Sequence, residues 1–141
     1  LPDETLIKAI ECVSPGIELH NYTFWHDPPC LQELICSGGI HAGLIVGDKK
    51  VSPRDLSFKN DIFSVYQDDK LIASAPALEI MGGPLNSLRW LVNSLSSFGE
   101  ILKEGSLVIP GSPTELISVN HDCDIKVVIQ NVGRVSATFI S

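Results

Sequence analysis

Glu18 and His20 stand two residues apart in Gly16-Ile17-Glu18-Leu19-His20-Asn21-Tyr22, a stretch whose alternation reads as a strand. Period-two geometry puts Glu18, His20 and Tyr22 on one face, with Ile17 and Leu19 on the other. A carboxylate so placed can give charge and oxygen to a hard divalent cation. His26 and His41 lie in segments that can return to this face, so a histidine-and-carboxylate transition-metal site is one reading of the group. No Glu-Xaa-Xaa-His or His-Xaa-Xaa-Xaa-His spacing supports that reading. A half-exposed structural glutamate is the plain alternative for Glu18.

Gly111-Ser112 follows a short apolar stretch closed by Pro110. A backbone N–H and a hydroxyl at such a point can hold a substrate carboxylate, and an ordinary turn is the competing reading. His121-Asp122-Cys123-Asp124 has the residue types of a ligand cluster. Adjacent ligands rarely converge on one ion, and the cluster sits where a turn enters the last hairpin, so turn chemistry accounts for it. Cys36 has no base placed by spacing and no cationic neighbour to activate it. Cys12, Cys30, Cys36 and Cys123 form no Cys-Xaa-Xaa-Cys pair and read as free thiols of a reducing, cytoplasmic compartment. No residue is assigned as a catalytic acid, base or nucleophile.

The elements that must position these residues follow from local pattern. Leu1 to Val13 reads as a helix, with Asp3 as its cap and Leu6, Ile7, Ile10 and Val13 on one face. Ser14-Pro15-Gly16 stops it, and the Glu18 strand follows. Thr23 to Cys30 reads as a loop and Ala42 to Val46 as a buried strand. Asp61 to Tyr66 and Lys70 to Ala75 form a hairpin around Gln67-Asp68-Asp69. Pro84 opens the clearest helix, in which Leu85, Leu88, Leu91, Val92, Leu95 and Phe98 line one face before Gly99 ends it. That face is expected to anchor the core, with Trp90 filling core or interface. Ser106 to Ile109 reads as a short strand, and Asp124 to Gln130 with Arg134 to Ile140 as a closing hairpin. Many strands with segregated helices imply an α+β, mostly β class.

Bulk properties set limits. A chain of 141 residues with 44% hydrophobic and 19% charged side chains suits a single folded domain over 1–141. A net charge of −7 with scattered Lys and Arg argues against a nucleic-acid surface. No apolar run nears the roughly 20 residues that span a membrane. The chain starts at Leu1 and its only methionine is Met81, so a preceding segment is expected.

Three stretches resemble 2-hydroxypenta-2,4-dienoate hydratases and 4-oxalocrotonate decarboxylases, a branch of the fumarylacetoacetate hydrolase superfamily. Val13-Ser14-Pro15-Gly16-Ile17-Glu18-Leu19 resembles the family's helix leading into a Pro-Ala-Ile-Glu-type strand. Gly82-Gly83-Pro84-Leu85-Asn86-Ser87-Leu88-Arg89-Trp90-Leu91-Val92-Asn93 is similar to its Gly-Xaa-Pro-Leu-Asn-Xaa-Leu-Xaa-Trp-Leu-Xaa-Asn segment, the most specific match. Leu102 to Ser112 resembles Leu-Xaa-Xaa-Gly-Asp-Xaa-Val-Leu-Thr-Gly-Ser, and Val132 to Phe139 also fits.

The resemblance covers nearly all of this chain but only the C-terminal part of the family's length. It implies a mixed β-sheet roll with two packed helices, a homo-oligomer, and a lyase using Mg²⁺ or Mn²⁺ on a small carboxylate substrate. It makes Glu18 the third metal carboxylate. The other two, in a Glu-Xaa-Glu motif, and a catalytic lysine would lie upstream. Gly111 and Ser112 become the substrate-binding candidates. Departures cluster at the polar positions. Asn21-Tyr22-Thr23 stands where Asp-Ser-Arg is usual, Ser37-Gly38 where Asp-Asn is usual, and Pro110 where Thr is usual. A non-catalytic paralogue or fragment that keeps the fold for assembly or regulation is therefore a competing reading. Acylpyruvate hydrolysis, the superfamily's other chemistry, is a third.

Overall fold

The computed structural model describes residues 1–24 and 29–140. In chain order the main elements are α1 (Asp3–Ala9), β1 (Gly16–His20), α2 (Leu31–Cys36), β2 (His41–Val46), β3 (Ile62–Gln67), β4 (Lys70–Pro76), α3 (Pro84–Ser97), β5 (Cys123–Ile129) and β6 (Gly133–Phe139). β1 and β2 form a two-stranded ribbon, and the other four strands form a sheet in the order β4-β3-β5-β6. The α+β, mostly β class holds. Each of these ladders is antiparallel, whereas the resemblance implied a mixed sheet. The short turns explain two of the pairings, since parallel neighbours need a long crossover. Asp68 and Asp69 at φ 49° and 61° make the β3–β4 turn. Asn131 at φ 63° and Gly133 at φ 146° make the β5–β6 turn. Positive φ at such positions lets the turn match the right-handed twist of its strands.

The core divides into two clusters. Val65, Cys123 and Ile125 come from the inner face of β3 and β5, with Ile17 and Phe139 packed beside them. Leu6, Phe58 and Leu85 join α1, the loop before β3 and the start of α3. The ribbon docks on β6 at one close approach. A Cβ on Gly47 would lie 2.8 Å from Pro15 Cγ and 3.2 Å from Val135 Cβ, so only glycine fits there.

Several expectations are corrected. α1 ends at Ala9 rather than Val13, because Ile10 turns extended and Val13 instead bridges to Val51. Its N-cap is Pro2, and Asp3 pairs with Arg89 instead of capping. α2 is a third helix, closed by a capping box in which Glu33 accepts from the Cys30 N–H at 2.7 Å. Cysteine is a rare N-cap, so the pattern gave little warning. Ser106 to Ile109 joins no ladder among the described residues. Apolar alternation says which side chains would share a face but supplies no neighbouring strand. Along α3 only Leu85 is buried, and Phe98 is 80% and Trp90 61% exposed. The helix is anchored at its start and open to solvent at its end, not a core element along its whole length.

Candidate functional site

Glu18 lies on β1 opposite Leu44, with His20 two residues further on the same face. Gly16 to Leu19 pair in regular register with Val46 to Gly43, and a bulge follows. Regular register would place Ala42 opposite His20, but the bulge brings His41 there. The two rings therefore flank one carboxylate. His41 Nδ1 lies 2.8 Å from Glu18 Oε1, and His20 Nε2 lies 3.5 Å from Glu18 Oε2. All three side chains are partly exposed, Glu18 at 27%.

The chain reaches His41 through a specific turn. Gly38 and Gly39 at φ 64° and 73° reverse the backbone after α2. Such values cost glycine little. The Asn21 N–H donates to the Ile40 carbonyl at 2.9 Å, closing the ribbon above the cluster. Sequence spacing placed Glu18 and His20 on one face but held no signal for the bulge that adds His41. His26, the other histidine read as able to approach, lies outside the described residues.

Glu18 and His20 line an open concavity of about 2230 Å³, and Gly111 and Ser112 line it too. Leu44, Phe63, Val65, Leu85 and Ile125 are among the apolar residues that border it. Gly111 takes φ 116°, and the Pro110 carbonyl before it accepts from Ser87 Oγ on α3 at 2.7 Å. Ser112 Oγ lies 3.1 Å from Thr114 Oγ1 and accepts from the Thr114 N–H at 3.3 Å. Its hydroxyl is thus tied into a local turn, and either hydroxyl of the pair can be the donor.

The most specific motif stretch is scaffold. Asn86 Nδ2 donates to the Met81 and Gly82 carbonyls at 3.2 and 3.1 Å, bracing the turn into α3. Arg89 donates to the Leu1 carbonyl at 2.7 Å and pairs with Asp3, tying α3 to α1. The His121-Asp122-Cys123-Asp124 run does not converge. Cys123 points into the core, while Asp124 accepts from Thr138 Oγ1 at 2.6 Å on the other face.

No family model matches the chain. Against curated proteins it is 23% identical to a 4-oxalocrotonate decarboxylase of Pseudomonas sp over 92% of its own length and 50% of the relative's. It is also 23% identical to 2-oxo-hept-4-ene-1,7-dioate hydratase of Escherichia coli over 94% of its length and 52% of the relative's. Among solved structures, 4-oxalocrotonate decarboxylase from Pseudomonas putida G7, complexed with magnesium and adipate, superposes with a TM-score of 0.90 at 22% identity. That match covers 98% of this chain and 52% of the other. The chain shares the fold of half of 4-oxalocrotonate decarboxylase. The resemblance read from its motifs is thereby found in overall sequence and in structure. The same enzyme complexed with calcium and acetate superposes with a TM-score of 0.87. The chain spans about half the length of the curated relatives it matches.

The decarboxylase structures hold hard divalent ions, and the donors here can be tested against such an ion. Mg²⁺ prefers a shell of oxygens in octahedral geometry. This cluster offers one carboxylate and two imidazoles. Among the described residues no three or more His, Cys, Asp or Glu side chains are arranged to cage a metal. Alone, the chain does not fit Mg²⁺.

Proposed function

We propose that this chain is the C-terminal portion of a divalent-metal-dependent hydratase or decarboxylase acting on small 2-keto or 2-hydroxydienoate acids, and that it turns over no substrate alone. The observation that carries this reading is the structural match, which spans nearly all of this chain and half of a decarboxylase. Mg²⁺ or Mn²⁺ is the ion the resemblance implies for the longer protein, where Glu18 would be one of several carboxylates. The chain's own residues have separate tasks. The Gly111 N–H and Ser112 Oγ would hold a substrate carboxylate. A catalytic acid or base would come from outside this chain. The resemblance also supports a cytoplasmic homo-oligomer, with the whole of 1–141 acting as one domain.

The test is turnover of 2-hydroxypentadienoate and related keto acids by a chain extended upstream, with and without Mg²⁺ or Mn²⁺. Metal-dependent turnover lost in Glu18→Ala is the expected result. No turnover across a panel of such acids sinks the reading.

A second reading, a non-catalytic paralogue, is favoured by one observation. Glu18 and Ser112 are both engaged by neighbours within the chain, His20 and His41 for one and Thr114 for the other. It expects unchanged assembly and no turnover in any variant of the extended chain.

A further inference from the structure

Ser87 ends the first turn of α3, the part of that helix anchored by buried Leu85. The bonds from Asn86 to the Met81 and Gly82 carbonyls brace the same turn. Ser87 Oγ therefore stands at a well-held point, and it donates to the Pro110 carbonyl, 23 residues away in sequence, at 2.7 Å. No residue from 101 to 120 joins a ladder, so no sheet directs the backbone around Gly111. A Cβ on Gly111 would lie 3.4 Å from Ile80 Cγ2, so the turn also rests against a buried side chain.

In a planar trans peptide the C=O and N–H point in opposite directions. With the Pro110 carbonyl held on α3, the Gly111 N–H points away from the helix, on an exposed residue. Among the described residues no group accepts from that N–H. Pro110 has no N–H of its own. The orientation of one peptide plane thus decides what the turn offers outward. An N–H attracts a carboxylate, and a carbonyl oxygen in its place repels one. Glycine, here at φ 116°, tolerates many backbone conformations, so it does not choose the orientation itself. The choice falls to the Ser87 hydroxyl. Ser87 stands at an unspecified position of the Gly-Xaa-Pro-Leu-Asn-Xaa-Leu motif, so the resemblance gives it no role.

We propose that Ser87 is a positioning residue for the Gly111-Ser112 turn, and that by fixing the Pro110 carbonyl it aims the Gly111 N–H at the carboxylate of a small 2-keto acid. The proposal rests on the functional reading above for the ligand, while the orientation of the peptide is read without any ligand.

The experiment compares wild type, Ser87→Ala and Ser87→Thr by NMR of the isotope-labelled 141-residue chain. Without ligand, the Pro110 carbonyl-carbon signal should move upfield in Ser87→Ala and stay near its wild-type place in Ser87→Thr. On titration with pyruvate, the wild-type Gly111 amide should shift saturably, and pyruvamide, which lacks the carboxylate, should not move it. Ser87→Ala should need about tenfold more pyruvate, as for one lost hydrogen bond to a charged group, and Ser87→Thr should recover the response. Should Ser87→Ala fail to fold, Ser87→Thr and Ser87→Val, alike in shape, make the same comparison with and without the hydroxyl. An unmoved Pro110 carbonyl on loss of the hydroxyl overturns the positioning role, whatever the chain binds. An equal pyruvate response with and without the hydroxyl overturns the proposal and leaves the lyase reading standing. A wild-type Gly111 amide indifferent to pyruvate overturns the carboxylate role of the turn and the proposal with it, and turnover by the extended chain then judges the lyase reading separately.

Discussion

His41 Nδ1 and Glu18 Oε1 meet at 2.8 Å although 23 residues separate them in sequence. The contact requires the bulge that sets His41 opposite His20. A carboxylate oxygen only accepts, so the proton of this bond resides on Nδ1 of His41. Glu18→Gln weakens the acceptor and can offer an amide proton in its place. Because the pair is partly exposed, the stability cost should stay under about 1 kcal/mol in urea unfolding. The His41 ring should shift away from a purely Nδ1-protonated pattern in NMR correlations. An unmoved ring pattern would show that the contact does not form in solution.

Among the described residues, Asp61 is the one charged side chain that is buried, 4% exposed. Its Oδ2 accepts from the Ser57 N–H, the Ser57 hydroxyl and the Phe58 N–H at 3.0–3.1 Å. Oδ1 accepts from Asn131 Nδ2 at 2.8 Å. One carboxylate thus joins the loop carrying Phe58 to the β5–β6 turn. Asp61→Ala strands several donors and should cost about 3 kcal/mol or more in denaturant unfolding. Asp61→Asn keeps acceptor capacity and should cost less. Equal effects would assign the loss to the carboxylate's second acceptor oxygen and charge rather than to volume, because asparagine has the same shape.

Gly47→Ala tests how the ribbon sits on the sheet. The new methyl would meet Pro15 Cγ at 2.8 Å and the Arg134 carbonyl at 3.1 Å. Pro15 is fully buried and has little freedom to move. The expected loss is about 1–3 kcal/mol, as for other overpacked sites. A neutral substitution would mean that the ribbon slides freely over β6.

Much of this arrangement was legible in the residues. The two hairpins announced themselves through Asp68-Asp69 and Asn131-Val132-Gly133, because positive φ demands such residues. Observed strand ends lie within two residues of those read from alternation. What stayed hidden depends on distant partners. Ser106 to Ile109 has a strand's pattern, yet pairing needs an available neighbour. Phe98 has the right helical phase, yet phase does not say how far the core extends along the helix. At the site, alternation gave Glu18 and His20 their common face. His41 joined them only through a one-residue bulge, which no spacing rule encodes.

Asp69 titrates below its ordinary value because Lys126 hydrogen-bonds to its carboxylate and adds a favourable charge. The contact is 2.5 Å, and the same ammonium lies 5.0 Å from the Tyr66 ring centre. A lowered folded value means that the pair contributes above the ordinary aspartate range. The contribution is lost as pH falls through the lowered value. Lys126→Met should return the Asp69 midpoint to the ordinary range, read by carboxyl NMR titration. High salt should narrow the difference between the two proteins, because Asp69 is fully exposed. A midpoint indifferent to the lysine would show that the ion pair does not persist in solution.

The two ends of α3 should respond oppositely to truncation. Leu85 packs on Leu6 and Phe58, with Leu56 and Leu88 beside them. Leu85→Ala should cost about 2–4 kcal/mol, because the loops around it can only partly collapse. Phe98, at the other end, is 80% exposed. Phe98→Ser should change the stability of this chain by no more than about 0.5 kcal/mol. Denaturant midpoints for both variants separate a helix anchored at its start from one buried along its whole apolar face. Equal losses at Leu85 and Phe98 would restore the fully buried helix that the leucine spacing suggests. The predicted asymmetry instead leaves the apolar stripe beyond Leu95 without a stabilising role in this chain.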